Sequence, residues 1–190
     1  MRVKICGITR AEDAVCAENE GADAIGVVLF SRSPRSVTPE RAQEIFGSVG
    51  PFTTTVAVTH TQSEEELQRI LDIHPTAIQI SHSFTFTRNP GVRVIRMIGR
   101  EESIPADCDA IIVDESHGGG KQYDLSRARD VAARSEVPVI LAGGLTPENV
   151  TEAILQVKPY AVDVATGVEI SPGIKDRRKI RAFIAASRRI

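Results

Sequence analysis

Eight short apolar runs rich in Val and Ile constrain this chain more than any other feature: Val3–Ile8, Ala24–Phe30, Thr54–Val58, Ala77–Ile80, Val92–Ile98, Ala110–Val113, Val137–Leu141 and Ala161–Val164. Several are near-continuous rather than alternating, the pattern of parallel strands buried on both faces. Stretches of helical period follow most of them. Ala42, Ile45, Phe46 and Val49 stand at i, i+3, i+4 and i+7, as do Val150, Ala153, Ile154 and Val157; Leu67, Ile70 and Leu71, and Ile180, Phe183 and Ile184, are shorter versions. Thr9 with Glu12 and Ser63 with Glu66 have capping-box spacing, and Thr38-Pro39-Glu40 and Thr146-Pro147-Glu148 place a cap, a proline and an acid where helices are expected to start.

Eight strands alternating with helices predict an α/β fold, a compact (β/α)8 TIM barrel formed as a single domain over residues 1–190, rather than an open doubly wound sheet. Eight units leave about 24 residues each, fewer than the roughly 250-residue barrel norm allows. Some helices are therefore expected to be short or absent, and the connections after strands 4 and 5, residues 83–90 and 100–107, are the expected places.

Composition removes several function classes. Lys and Arg number 23 against 25 Asp and Glu, so the net charge of −2 gives no basic footprint for nucleic acid. Aromatic residues make up 4% with no Trp, which argues against a base-stacking or Tyr/Trp-rich recognition surface and for an aliphatic core. Three cysteines without Cys-x-x-Cys spacing predict no disulfide framework, and no run approaches the length of a membrane span or signal segment. A cytoplasmic protein is expected. The start at Met1 and the end soon after the last helical pattern are expected of a stand-alone chain, as monomer or homodimer. His60, His74, His82 and His117 lack metal-ligand spacing, and neither a Gly-x-Ser-x-Gly elbow, a P-loop nor a dinucleotide fingerprint is present. Neither metal nor cofactor is expected.

In a barrel the chemistry belongs to the C-terminal ends of the strands. Cys6 ends the first run beside Gly7, where a base or nucleophile competes with a small buried hydrophobe. Asp114 follows Ala110-Ile111-Ile112-Val113, where an apolar wall favours the protonated form a general acid needs. Asp163, inside the eighth strand, reads as a buried structural carboxylate. Arg35, in the loop after the second strand, suits bidentate capture of a carboxylate or phosphate. Gly143 and Gly144 after strand 7 and Gly167 after strand 8 read either as plain strand-to-helix turns or, taken jointly, as a phosphate cradle in which backbone N–H groups approach an anion; the cradle is the expectation.

At these residues the chain resembles phosphoribosylanthranilate isomerase of tryptophan biosynthesis. The resemblance is carried by Lys4-Ile5-Cys6-Gly7-Ile8-Thr9, by Ser33-Pro34-Arg35-Ser36-Val37-Thr38-Pro39-Glu40, and by Leu141-Ala142-Gly143-Gly144-Leu145-Thr146-Pro147-Glu148-Asn149-Val150. It ends in Asp163-Val164-Ala165-Thr166-Gly167-Val168-Glu169 and Pro172-Gly173-Ile174-Lys175-Asp176. It implies a cofactor-free Amadori rearrangement of a small phosphorylated substrate. By the same resemblance Asp114 is the acid that opens the ribose ring, and Cys6 is the base that removes the C2' proton. Arg35 then holds the anthranilate carboxylate, while Gly143, Gly144, Thr166 and Gly167 hold the phosphate.

The chain departs from the family pattern in three places. Gln79-Ile80-Ser81-His82 moves a histidine one position on, Gly118-Gly119-Gly120 and Leu125 replace a Gly-Thr-Gly and a tryptophan, and Ala165-Thr166-Gly167 replaces Ser-Ser-Gly. Two other readings remain at this point. A non-catalytic barrel that binds phosphorylated metabolites would need neither Cys6 nor Asp114. The related phosphoribosyl isomerase of histidine biosynthesis would be expected to use carboxylates for both acid and base.

Overall fold

The computed structural model describes residues 1–86, 91–99, 104–105, 107–114 and 125–189. Eight parallel strands close into a barrel: β1 (Arg2–Ile5), β2 (Ala24–Leu29), β3 (Thr54–Thr59), β4 (Ala77–Ile80), β5 (Arg93–Ile98), β6 (Ala110–Asp114), β7 (Val139–Ala142) and β8 (Ala161–Val164). Closure is set by β1, whose Lys4 stands opposite Ala24 on one side and Asp163 on the other. Around the ring β8 and β7 lie between β1 and β6.

Alternation along each strand sorts the aliphatic residues into two cores. Val28, Val58, Ile95, Ile112 and Ala142 fill the barrel interior, whereas Ile5, Leu29, Ile78, Val113 and Val162 point outward under the helices. Because both faces are covered, the runs read as continuous in sequence. The helices are α1 (Ala11–Asn19), α2 (Pro39–Phe46), α3 (Glu64–Leu71), α4 (Ser126–Arg134), α5 (Val150–Val157) and α6 (Arg177–Ser187). Each lays a stripe onto the outer core: Ile45 of α2, Ile70 of α3 and Phe183 of α6 are fully buried, and each such side chain contributes about 1.5–3 kcal/mol.

Among the described residues no helix follows β4 or β5, as the short length requires; residues 87–90, 100–103 and 106 of those connections lie outside the described residues. Leu125, where the family pattern has tryptophan, is buried at the entrance to α4.

Two of the expected helix starts differ. Thr9 does not cap α1: its Oγ1 donates to the Gly173 carbonyl at 2.6 Å, and Arg10 stands at the cap without a side-chain bond. Thr146 lies four residues before α5; its carbonyl accepts from Asn149 and Val150 in a turn that delays the helix to Val150. By contrast Thr38 and Ser63 accept from the backbone N–H groups of Arg41 and Glu66, as their spacing predicts.

At the N-terminal end of the barrel a cavity of about 520 Å³ is lined by Arg2, Asp23, Phe52, Arg93, Asp109 and Tyr160, among others. None of the candidate site residues reaches it, and that end of such barrels serves stability rather than chemistry. No helix among the described residues is long and apolar enough to cross a membrane.

Candidate active site

β1 ends at Ile5, earlier than its apolar run suggests, because Gly7 turns the chain at a φ of +72°. Cys6 stays tied to the barrel rim through its backbone N–H, which donates to Val164 at 2.8 Å. Its side chain shares the interior face with Lys4 two residues earlier and is almost wholly buried. Lys4 donates to Gln79 Oε1 at 2.9 Å and to Asp163 Oδ1 at 3.0 Å, all inside the barrel. Gly26 on the neighbouring strand makes room for both: a Cβ there would meet Cys6 Sγ at 2.9 Å and Lys4 Cε at 2.9 Å.

The electrostatics of this pocket oppose one another. Burial pushes the Cys6 thiol up, and the Asp163 carboxylate adds to that; the Lys4 and Lys175 ammonium groups pull it down without cancelling the rise. Burial also works against the Lys4 charge, but Asp163 and Cys6 outweigh it and hold the ammonium above its ordinary value. Asp163 is therefore a buried, paired carboxylate, and Lys4 is the counter-ion that makes its burial tolerable.

Asp114 is the last residue of β6 and is half-buried. It shares the interior parity of Ile112, so its carboxyl faces the barrel mouth. It lies near enough to Asp163 to push that carboxyl upward. Asp163 thus feels Asp114 on one side and acts on Cys6 on the other. The loop that follows Asp114, with His117 and Gly118-Gly119-Gly120, lies outside the described residues.

Arg35 reaches the mouth from a loop held by its own serines: Ser33 N–H donates to Ser31 Oγ at 3.2 Å and Arg35 N–H to Ser33 Oγ at 3.2 Å. The Arg35 stem passes over Gly7, where a Cβ would meet its Cδ at 2.5 Å. Its guanidinium already grips a carboxylate, that of Glu169: Nε donates to Oε1 at 2.8 Å and Nη2 to Oε2 at 2.6 Å. Nη2 also donates to Thr166 Oγ1 at 3.2 Å. Lys175, with a wholly buried side chain, donates from Nζ to Glu169 Oε1 at 2.9 Å. Burial alone would raise the Glu169 carboxyl, yet the bonds from Arg35, Lys175 and the Gly173 N–H lower it to about 2. Sequence reasoning missed Glu169, Lys175 and Lys4. A signal existed for Lys4, the one charge in the apolar run Val3–Ile8, with the same parity as Cys6.

The two glycine turns come together as expected. Gly143 and Gly144 have φ of +93° and +59°, conformations that side chains resist. Asn149 braces this turn, accepting from Thr146 N–H at 2.8 Å and donating to the Gly144 carbonyl at 3.0 Å. After β8 a single 3-10 turn, Thr166–Val168, begins at Thr166. A Cβ on Gly167 would lie 2.0 Å from the Leu145 carbonyl oxygen, so the two turns touch there. His82 makes an edge-on ring contact with Phe84, centroids 4.8 Å apart, outside this constellation. Among the described residues no group of three or more His, Cys, Asp or Glu could hold a metal ion.

Comparison with known proteins agrees across sequence and structure. The family model for N-(5'phosphoribosyl)anthranilate (PRA) isomerase matches residues 3–186. The chain is 62% identical over 189 residues to the N-(5'-phosphoribosyl)anthranilate isomerase of Methanoregula boonei, covering 99% of this chain and 97% of that one. Phosphoribosyl anthranilate isomerase from Thermus thermophilus superposes with a TM-score of 0.83 at 36% identity, over 98% of each chain. A phosphoribosyl anthranilate isomerase solved in complex with reduced 1-(o-carboxyphenylamino)-1-deoxyribulose 5-phosphate superposes with a TM-score of 0.82 at 31% identity, over 100% of each chain. The chain therefore belongs to the N-(5'-phosphoribosyl)anthranilate isomerase family, enzymes of tryptophan biosynthesis.

Proposed function

We propose that this chain catalyses the Amadori rearrangement of N-(5-phosphoribosyl)anthranilate to 1-(2-carboxyphenylamino)-1-deoxyribulose 5-phosphate, with Asp114 as general acid and Cys6 as general base. The observation that carries this reading is the shared interior parity of Cys6 and Asp114 at the same rim of the barrel, on strands separated by two others. A sugar bound across the mouth meets an acid on one side and a base on the other.

In the proposed sequence Asp114 gives its proton to the ribose ring oxygen. The C1'–O bond breaks as the anilino nitrogen pushes its lone pair toward C1', giving an open-chain Schiff base. The thiolate form of Cys6, which burial disfavours and the Lys4 and Lys175 ammonium groups favour, then takes the C2' proton, and the released electron pair moves through C1' to the nitrogen. The resulting enolamine becomes the ketone by gaining a proton at C1' and losing one from the C2' hydroxyl. Every step is a proton transfer or a bond rearrangement within one substrate. The turns around Gly143, Gly144, Thr166 and Gly167 hold the phosphate with backbone N–H groups, and Arg35 faces the anthranilate carboxylate.

Loss of substrate fluorescence tests the assignment on the wild type, Cys6→Ala and Asp114→Asn. Each variant is expected to lose on the order of 10² to 10⁴-fold in rate. Near-full turnover by Cys6→Ala would refute the mechanism. Chelator is expected to leave turnover unchanged. The same reading makes the chain a cytoplasmic single-domain enzyme over residues 1–190, as monomer or homodimer, which light scattering on the purified protein distinguishes.

A further inference from the structure

We propose that Glu169 is a positioning residue that fixes the guanidinium of Arg35 for capture of the substrate carboxylate. This rests on the substrate proposed above.

The carboxylate of Glu169 is nearly inaccessible, with its side chain 3% exposed, and it is fully used. Oε1 accepts from Arg35 Nε at 2.8 Å, Lys175 Nζ at 2.9 Å and Gly173 N–H at 3.0 Å, and Oε2 accepts from Arg35 Nη2 at 2.6 Å. Its own placement is rigid. Glu169 and Lys175 stand directly opposite in a short antiparallel hairpin, and the backbone N–H of Lys175 donates to buried Asp13 at 3.3 Å. Thr9 pins the hairpin turn through the Gly173 carbonyl. Glu169 is thus held by the scaffold, while Arg35 comes from a loop 134 residues away in sequence and is held by Glu169.

The fork geometry decides what Arg35 has left to offer. Nε and one hydrogen of Nη2 face Glu169, and the other Nη2 hydrogen suits Thr166 Oγ1. Among the described residues Nη1 has no hydrogen-bond partner, so both its donors stand on the edge turned away from Glu169. An arginine carries about 2 kcal/mol of rotamer entropy, and a guanidinium already fixed in plane loses little of it on binding an anion.

Charge points the same way. Arg35 and Lys175 bring two positive charges against the one negative charge of Glu169. With the Cys6 thiol protonated, the form its burial favours, the excess of one matches a single carboxylate arriving at the half-buried guanidinium. Since the Arg35 stem crosses Gly7, next to Cys6, that carboxylate is placed beside the proposed base.

The test compares two substrates, N-(5-phosphoribosyl)anthranilate and its carboxylate-free analogue N-(5-phosphoribosyl)aniline, in the wild type and in Glu169→Gln. Loss of one charged hydrogen-bond pair predicts an increase in KM for the anthranilate of about 10- to 100-fold, with kcat changed far less. With the aniline the two proteins are expected to have equal KM. An equal penalty on both substrates overturns the proposal, because it marks a role in folding alone. Glu169→Gln leaves Lys175 buried without its counter-ion, so Glu169→Gln/Lys175→Met is measured beside it, with thermal melts of both. The same anthranilate-only penalty is expected in the double variant, and its absence there also overturns the proposal. A wild type inactive on the anthranilate sinks the proposed function instead, and this inference with it.

Discussion

Lys4 and Cys6 meet in the space left by Gly26, whose missing Cβ would stand 2.9 Å from the sulfur of one and 2.9 Å from the Cε of the other. The contact follows from strand parity: residues two apart on β1 face the same interior, and a closed barrel has a solvent-poor interior. A lysine there needs an anion, and Asp163 at the same level of β8 supplies it. The ammonium below the thiol then favours the thiolate, in opposition to burial.

The Cys6 thiol is accordingly expected to titrate above its ordinary value, with alkylation by iodoacetamide slow at neutral pH and rising through the alkaline range. Lys4→Met removes a charge that stabilises the thiolate, so its midpoint is expected to move further up. A midpoint unchanged or lowered in Lys4→Met would show that the ammonium does not act on the sulfur.

The same pair predicts a stability pattern. Lys4→Met leaves Asp163 buried without its counter-ion and is expected to cost about 3–5 kcal/mol, whereas Lys4→Met/Asp163→Leu is expected to recover most of that loss. Urea unfolding of the wild type and both variants measures it. Equal destabilisation in single and double variants would mean that packing, not charge, is lost.

Much of this was readable from the chain, for a physical reason. Strands covered on both faces appear as unbroken Val and Ile runs, so the barrel declares itself, and with it the rim where Cys6, Asp114 and the glycine turns stand. Local signals failed where a distant partner competed. Thr9 has the spacing of a cap, yet its hydroxyl goes to Gly173, brought near by the terminal hairpin. Arg35 reads as a loop arginine awaiting a ligand, and nothing near it in sequence announces Glu169. The Lys4–Asp163 pair lies between these cases. Lys4 is the one charge in the apolar run Val3–Ile8 and Asp163 the one charge in Ala161–Val164, and two such charges of opposite sign in a closed barrel call for each other.

Acid is expected to weaken the wild type through Glu169. Its carboxyl is lowered from 4.5 to about 2 in the fold, so its contribution is fully present above the unfolded value and is lost as pH falls through the folded one. Glu169→Gln lacks this dependence. The difference in melting temperature between the two proteins is therefore expected to be largest near neutral pH and to shrink as pH falls from about 5 toward about 2. A gap constant over that range would contradict the ionised network.

Gly167 gives the sharpest test of the phosphate end. Its φ is not in the left-handed region, so Gly167→Ala is a steric change: the new Cβ meets the Leu145 carbonyl oxygen at 2.0 Å, and a backbone atom cannot swing aside as a flexible side chain would. The turns after β7 and β8 must separate, at a cost of about 1–3 kcal/mol. Because the proposed cradle needs N–H groups from both turns, inhibition by inorganic phosphate is expected to weaken along with a rise in KM for the phosphorylated substrate. A Gly167→Ala protein that is destabilised but binds phosphate as before would remove this turn from the binding site.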